Sequence, residues 1–179
     1  LIGIGLIIWA SLRLPETLKP EDRLPIQVRR LASAYRTALT DRTAVGYMLA
    51  MTAITGALFG FINSSQQIFA DVFDAEAAFP AVFALIAGGI AVASIVNARM
   101  VVRLGSRRIS HTALIGFTAI SAVHAVVSLL GLESIWTFAV LQTLTMFCFG
   151  LIAGNFGAMA METMGHIAGT AASIQGFVS

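Results

Sequence analysis

The sequence predicts an all-α fold, a polytopic membrane bundle of helices, and three observations carry that expectation. Hydrophobic residues make up 58% of the chain and charged residues only 11%, whereas soluble domains carry about 25% charged residues. Four stretches, 43–69, 77–98, 109–132 and 134–161, contain no Asp, Glu, Lys or Arg, and each exceeds the roughly 20 apolar residues that a bilayer-crossing helix needs. The 11 Lys and Arg residues all fall in alternate connections between these stretches. A soluble domain rarely buries so many uninterrupted apolar helices.

The first element, Leu1 to Leu12, is apolar, and its first charge, Arg13, comes after it. A secretory signal carries its basic segment first, so this run reads as the end of a spanning helix. Another apolar run begins at Ile167. Both are expected to be parts of helices, and the chain a piece of a larger polytopic protein. The connection 13–42 holds Arg13, Lys19, Arg23, Arg29, Arg30, Arg36 and Arg42 with Pro15, Pro20 and Pro25. Within it, Ile26 to Leu39 places Arg29, Arg30 and Arg36 beside Leu31, Ala34 and Leu39. That pattern suits either a helix lying on the membrane surface or a solvated linker. Asp41 stands where an N-cap for the next helix belongs.

Short loops rich in Lys and Arg stay on the cytoplasmic side. Connections 13–42 and 99–108, the latter with Arg99, Arg103, Arg107 and Arg108, are therefore expected to be cytoplasmic. The connections holding Asp71, Asp74 and Glu76, and Glu133, face outward, and the one near Gly165 must be cytoplasmic despite lacking Lys or Arg. The net charge of +2 thus expresses orientation against anionic lipid, and no nucleic-acid partner is implied.

Polar groups inside a membrane mark pathways or helix contacts. Gly56, Gly60, Asn63 and Gln67 share one face of the first complete span, with Phe59 and Gln66 beside it. Gly56 and Gly60 form a helix-packing seam, whereas Asn63 and Gln67 are candidates for a substrate cavity or for the outer interface. In the fourth complete span Gln142, Met146 and Phe149 line a face suited to a flexible, mostly apolar cavity with one polar anchor. Gly150 and Gly154 read as a second packing seam, and Asn155 as a hydrogen-bonding contact to a neighbour. His124 lies well inside a span; with no carboxylate in any of the four spans, it is expected to be neutral and structural. His111 sits near the arginines. The lone Cys148 supports neither a disulfide nor a metal site, and no phosphate-binding GxxxxGK[ST] loop occurs. No nucleophile, base and orienting acid share a span. An enzyme is not expected, and no cofactor is implied.

Four motifs bring a family into view: L-x-L-P-E-T-L at Leu12 to Leu18, D-R-x-x-x-G-Y at Asp41 to Tyr47, N-A-R-x-x-x-R-x-G at Asn97 to Gly105, and G-H-I-A-G-T-A-A-S at Gly165 to Ser173. In this order they resemble the C-terminal half of a Bcr/CflA-type drug:proton antiporter of the major facilitator superfamily. The resemblance implies part of a C-terminal six-helix half, running from the end of the sixth helix into the eleventh of twelve, with 13–42 as the central cytoplasmic loop. It further implies proton-coupled efflux of small molecules by alternating access. The implied partners are the N-terminal half of the same transporter, membrane lipids, a small-molecule substrate and protons, with the coupling acid in the other half. Arg103, Gly105, Arg107 and Arg108 match the weaker copy of the superfamily's gating loop, where Val102 takes the acidic position. His166, Gly169 and Thr170 stand at the cytoplasmic mouth of the eleventh helix as gating or topology residues together with Arg99. Two rivals stand beside it: a facilitator-type uptake symporter for a nutrient, which would share the topology, and, from another class, a membrane subunit or receptor that transports nothing and uses the basic loops for docking.

Overall fold

The computed structural model describes residues 2–13, 28–162, 164–165 and 168–178. The expectations placed on Pro15, Pro20, Pro25 and His166 lie outside the described residues. The chain divides into two units, 1–32 and 33–179. The first holds α1, Ile2–Arg13, an apolar helix that exposes Ile7, Trp9 and Leu12. Four helical runs are long and apolar enough to cross a membrane: Arg42–Val72, Glu76–Leu104, Ser106–Leu129 and Ile135–Met161.

The segment Val28–Thr40 forms α2. Ala34 and Ala38 on it are buried, and Ala38 packs with Ala44, Met48, Ala160, Met164, Ala171 and Ile174. The part of α2 from residue 33 onward is thus docked against its neighbours in the second unit, not left as a solvated linker. Helix α3, Arg42–Gln67, starts where Asp41 Oδ1 accepts hydrogen bonds from the backbone N–H groups of Thr43 (2.9 Å) and Ala44 (3.0 Å). These satisfy two of the donors that a helix start leaves without partners. The helix then widens into a π turn, Ile68–Val72, which turns Phe69 into the core.

A short 3-10 turn, Glu76–Ala78, leads into α4, Phe79–Leu104. Pro80 lies in the first turn of α4, where its missing N–H costs no helical bond. The expected connection 99–108 is corrected here, because α4 continues through Arg99 and Arg103 and α5, Ser106–Leu129, begins directly after Gly105. Gly105 alone turns the chain, at φ 79 and ψ 148, a backbone conformation essentially restricted to glycine. The far end of α5 is stopped by Gly131 at φ 66, with Leu132 N–H bonded to Val127 O at 3.1 Å. Ser134 then caps α6, Ile135–Met161, in a reciprocal box: its Oγ accepts from Thr137 N–H, and Thr137 Oγ1 accepts from Ser134 N–H at 2.7 Å. The last element is α7, Ala168–Val178.

The core of the second unit is organised around α6. It contributes Phe138, Ala139, Met146, Phe149, Ile152, Phe156 and Met159 to a cluster with Ile54, Phe69, Val82, Ile86 and Ala113. The helices α3, α4 and α5 make their main helix–helix contacts with α6, not with one another. Where lipid surrounds the bundle, close packing replaces the hydrophobic effect as the driving force between helices. The α4–α6 seam shows how close this packing is: a Cβ added at Gly150 would lie 2.7 Å from Ala93 Cβ and 3.0 Å from Ile90 O, and one at Gly89 would lie 2.9 Å from Thr143 Cγ2.

Candidate functional site

The arginine end and the opposite end of the second unit lie far apart along α5. From Ser106 to His124 the helix rises about 27 Å. Near the end away from the arginines, α3, α5 and α6 line an open cavity of about 420 Å³. Helix α3 supplies Gly60, Phe61, Ser64 and Ile68; α5 supplies Phe117, Ser121, His124 and Ser128; α6 supplies Phe138, Gln142, Thr145 and Met146. Glu133, from the connection between α5 and α6, completes the lining.

The chemistry of this cavity centres on one pair. His124 Nε2 lies 2.5 Å from Glu133 Oε1, and each side chain is 16% exposed. The Phe138 ring stands edge-on to the imidazole, with centroids 5.5 Å apart and planes at 70°. His124 thus makes the hydrogen bond expected of a structural histidine, with a carboxylate partner that none of the four apolar stretches contains. Its partner lies just outside the spans, in a connection that the turn at Gly131 folds back over α5. The Gly131-x-Glu133 spacing was the available signal: a helix stopped by a left-handed glycine brings the following residues back alongside its last turns.

The structure separates the other candidate residues. Gln142, buried to 8% exposure, and Met146 line the cavity. Phe149 lies in the core cluster instead. Asn63 and Gln67 are exposed on α3 and absent from the cavity wall; Asn63 Nδ2 donates to Phe59 O at 2.8 Å, and Gln67 Nε2 donates to Asp71 Oδ2 at 3.1 Å. The α3 face that does line the cavity is one residue further on, through Ser64 and Ile68.

The two glycine seams also divide. A Cβ at Gly56, Gly60 or Gly154 would meet nothing within 4 Å, so no described helix packs closely there, and Gly60 opens onto the cavity instead. Gly150 alone of the four is a close contact, and Gly89 joins it although its place in the sequence gave no such sign. Asn155 Nδ2 bonds Asn97 Oδ1 at 2.7 Å and Leu151 O at 2.8 Å, which ties α6 to α4 by a buried amide pair.

At the arginine end, Arg99, Arg103, Arg107 and Arg108 are exposed, and so is Val102 at 85%. Beside them Thr43, Tyr47, Gly105, Ser106, Arg107, Met159 and Glu162 line an open groove of about 640 Å³. Tyr47 packs on Phe156 with centroids 5.1 Å apart and stands edge-on to His111 at 5.9 Å. On α7, Gly169 is exposed and Thr170 is half-buried, its carbonyl accepting from Ser173 Oγ at 2.8 Å. No group of His, Cys, Asp and Glu among the described residues has a metal-site arrangement.

Over 182 residues the chain is 28% identical to the uncharacterized MFS-type transporter YdgK of Bacillus subtilis, covering 99% of this chain and 44% of that protein. It is 25% identical over 179 residues to a bicyclomycin resistance protein homolog of Haemophilus influenzae, covering 99% of this chain and 45% of that protein. The chain thus spans less than half the length of the curated relatives it matches. No family model matches it, and no solved structure matches it. The two similarities support the resemblance to a Bcr/CflA-type major facilitator, and the four apolar helices are consistent with part of such a bundle. Together with the four membrane-length helices they support a multi-pass protein of the inner membrane.

Proposed function

We propose that this major facilitator-type bundle is one half of a secondary active transporter that exports amphipathic small molecules in exchange for protons. Two bundles rock about a site between them in alternating access, and the chain supplies one of the two walls. The observation that carries the reading is the cavity between α3, α5 and α6. It sets Phe61, Ile68, Phe117, Phe138 and Met146 beside Gln142, Thr145, three serines and the His124–Glu133 pair, the mixture of apolar wall and polar anchors expected of a site for amphipathic ligands.

On this reading Gln142 and Met146 contact substrate, and Asn63 and Gln67, exposed on α3, face the other bundle. The arginine end is cytoplasmic, residues 13–42 form the central loop, and Arg103, Gly105, Arg107 and Arg108 set topology first and gating second. A coupling carboxylate lies in the other bundle, since the apolar stretches 43–69, 77–98, 109–132 and 134–161 carry no acid.

Inverted membrane vesicles containing the intact protein test the proposal. A pH-sensitive dye reports the gradient, and bicyclomycin serves as first probe because one relative is named for resistance to it. Bicyclomycin or another amphipathic probe should collapse the gradient in these vesicles and leave it intact in vesicles lacking the protein. Probe-driven proton movement in the uptake direction would favour the nutrient symporter. Vesicles that move nothing but bind a cytoplasmic protein would overturn transport altogether.

A further inference from the structure

At the arginine end no ion pair or side-chain hydrogen bond among the described residues engages Arg99, Arg103, Arg107 or Arg108. Two of these arginines line a second open groove of about 640 Å³, walled by Leu104, Arg107, Arg108, His111, Thr112 and Ile115. No Asp or Glu lies on this wall; Glu162 lines the neighbouring groove with Arg107, and Arg108 belongs to this one alone.

Helical spacing explains the wall. Arg108, Thr112 and Ile115 follow one another at four and three residues and so share a face of α5. All three are exposed, Ile115 to 72%, whereas Ile109, Ser110 and Ala113 on the other side are buried in the bundle. His111 is held in place, because its Nδ1–H donates to Arg107 O at 2.7 Å and its ring meets Tyr47 edge-on. The Thr118 hydroxyl donates to its own helix, at Leu114 O, but that of Thr112 has no partner among the described residues.

The groove also changes character along its length. Arg108 is the last charge before the apolar stretch 109–132, and Ile115 lies about 10 Å further along the helix axis. One end is thus a pair of guanidinium groups and the other is hydrocarbon. A phospholipid has the same polarity: a phosphate, which guanidinium groups bind through charge-assisted hydrogen bonds, followed by acyl chains. We propose that this groove seats one anionic phospholipid, with its phosphate on Arg107, Arg108 and the Thr112 hydroxyl and an acyl chain along Leu104 and Ile115. The inference rests on the reading that puts the arginine end at a membrane surface, and not on transport. A free phosphate ion would use the arginines but leave the apolar half of the groove empty.

Native mass spectrometry of the intact protein in detergent tests the seat, with phosphatidylglycerol and phosphatidylcholine of identical acyl chains as probes. The wild type should retain one phosphatidylglycerol in preference to phosphatidylcholine, and inorganic phosphate in large excess should not displace it. Arg107→Gln with Arg108→Gln should weaken retention by about 25-fold, since each arginine near the surface contributes roughly fivefold toward anionic lipid. Arg99→Gln with Arg103→Gln removes the same charge outside the groove and should stay within about threefold of the wild type, because salt screens exposed charges over about 8 Å. Ile115→Asn, which leaves every charge in place, should weaken retention by about tenfold.

The wild-type comparison of the two lipids needs no variant to fold, and equal retention of both would overturn the proposal. Equal losses in the two double variants would also overturn it, because the total charge of the turn would then attract lipid without a seat. Displacement by inorganic phosphate, with Ile115→Asn unchanged, would replace the lipid with a phosphate ion. The transporter reading stands or falls separately. A protein that keeps its phosphatidylglycerol but moves no probe in vesicles sinks transport alone, and one that moves bicyclomycin but retains the two lipids equally sinks the seat alone.

Discussion

The two ends of α5 turn the chain between helices in opposite ways. At the arginine end a single residue, Gly105, joins α4 to α5, and the charges around it point away from the bundle. At the other end residues 130–134 make the turn, and the one charge among them, Glu133, is folded inward onto His124. The comparison teaches that the number of charges in a connection reports sidedness, whereas their direction reports chemistry. The basic residues stay exposed, whereas the acid is turned back onto the cavity wall.

The strongest way to break the comparison is to neutralise the arginine end. Replacing Arg99, Arg103, Arg107 and Arg108 together with Gln should disturb the orientation of α4 and α5 in a large part of the protein made, because the bias of these loops sets topology. Labelling of single cysteines introduced at exposed positions such as Val102 reads this out. Uniform, unchanged orientation with transport lost would show that the arginines serve gating first.

The next effect is local strain. Gly105→Val forces a β-branched side chain into a conformation that only glycine holds easily, and should destabilise the bundle by about 1–3 kcal/mol. Gly131→Ala, in the ordinary left-handed region, should cost about 1–2 kcal/mol. Thermal unfolding in detergent compares the two, and a larger loss at Gly131 would reverse the ranking of the turns. A smaller loss is expected for Ser134→Ala, which removes half of the capping box and should cost about 1 kcal/mol. The smallest is Asn97→Ala. Hydrogen bonds between membrane helices average about 0.6 kcal/mol, so severing the bond to Asn155 should shift the melting temperature only slightly.

Much of the fold was legible because membrane helices announce themselves by length. The four apolar runs appear as helices, and Asp41 and Ser134 stand at the starts of two of them. Which face of each helix meets which neighbour was far less legible. In a soluble helix the polar face points to water and so names the buried one; here lipid and protein interior are equally apolar. Gly56, Gly60, Asn63 and Gln67 do share a face, as their spacing says, yet that spacing is silent on what lies opposite. Gly56 and Gly150 looked alike in sequence, and only Gly150 meets a neighbour. Gln142 and Met146 reach the cavity while Phe149, on the same stripe, turns into the core. Glu133 was missed because it stood in a connection, and its role depends on a backbone reversal two residues earlier.

The central position of α6 bears on how the protein is made. Helices emerge from the ribosome in chain order, so α3, α4 and α5 enter the lipid before the helix that gives them their main contacts. A nascent chain stalled before residue 135 would hold α3, α4 and α5 without the Met146, Phe149 and Ile152 side chains that share a cluster with Ile54, Ile86 and Ala113. The one-residue link at Gly105 joins α4 to α5 during that interval, and the surface at Gly89 and Ala93 stays open until α6 fills it. The packing of α3, α4 and α5 is therefore completed only when α6 is in place.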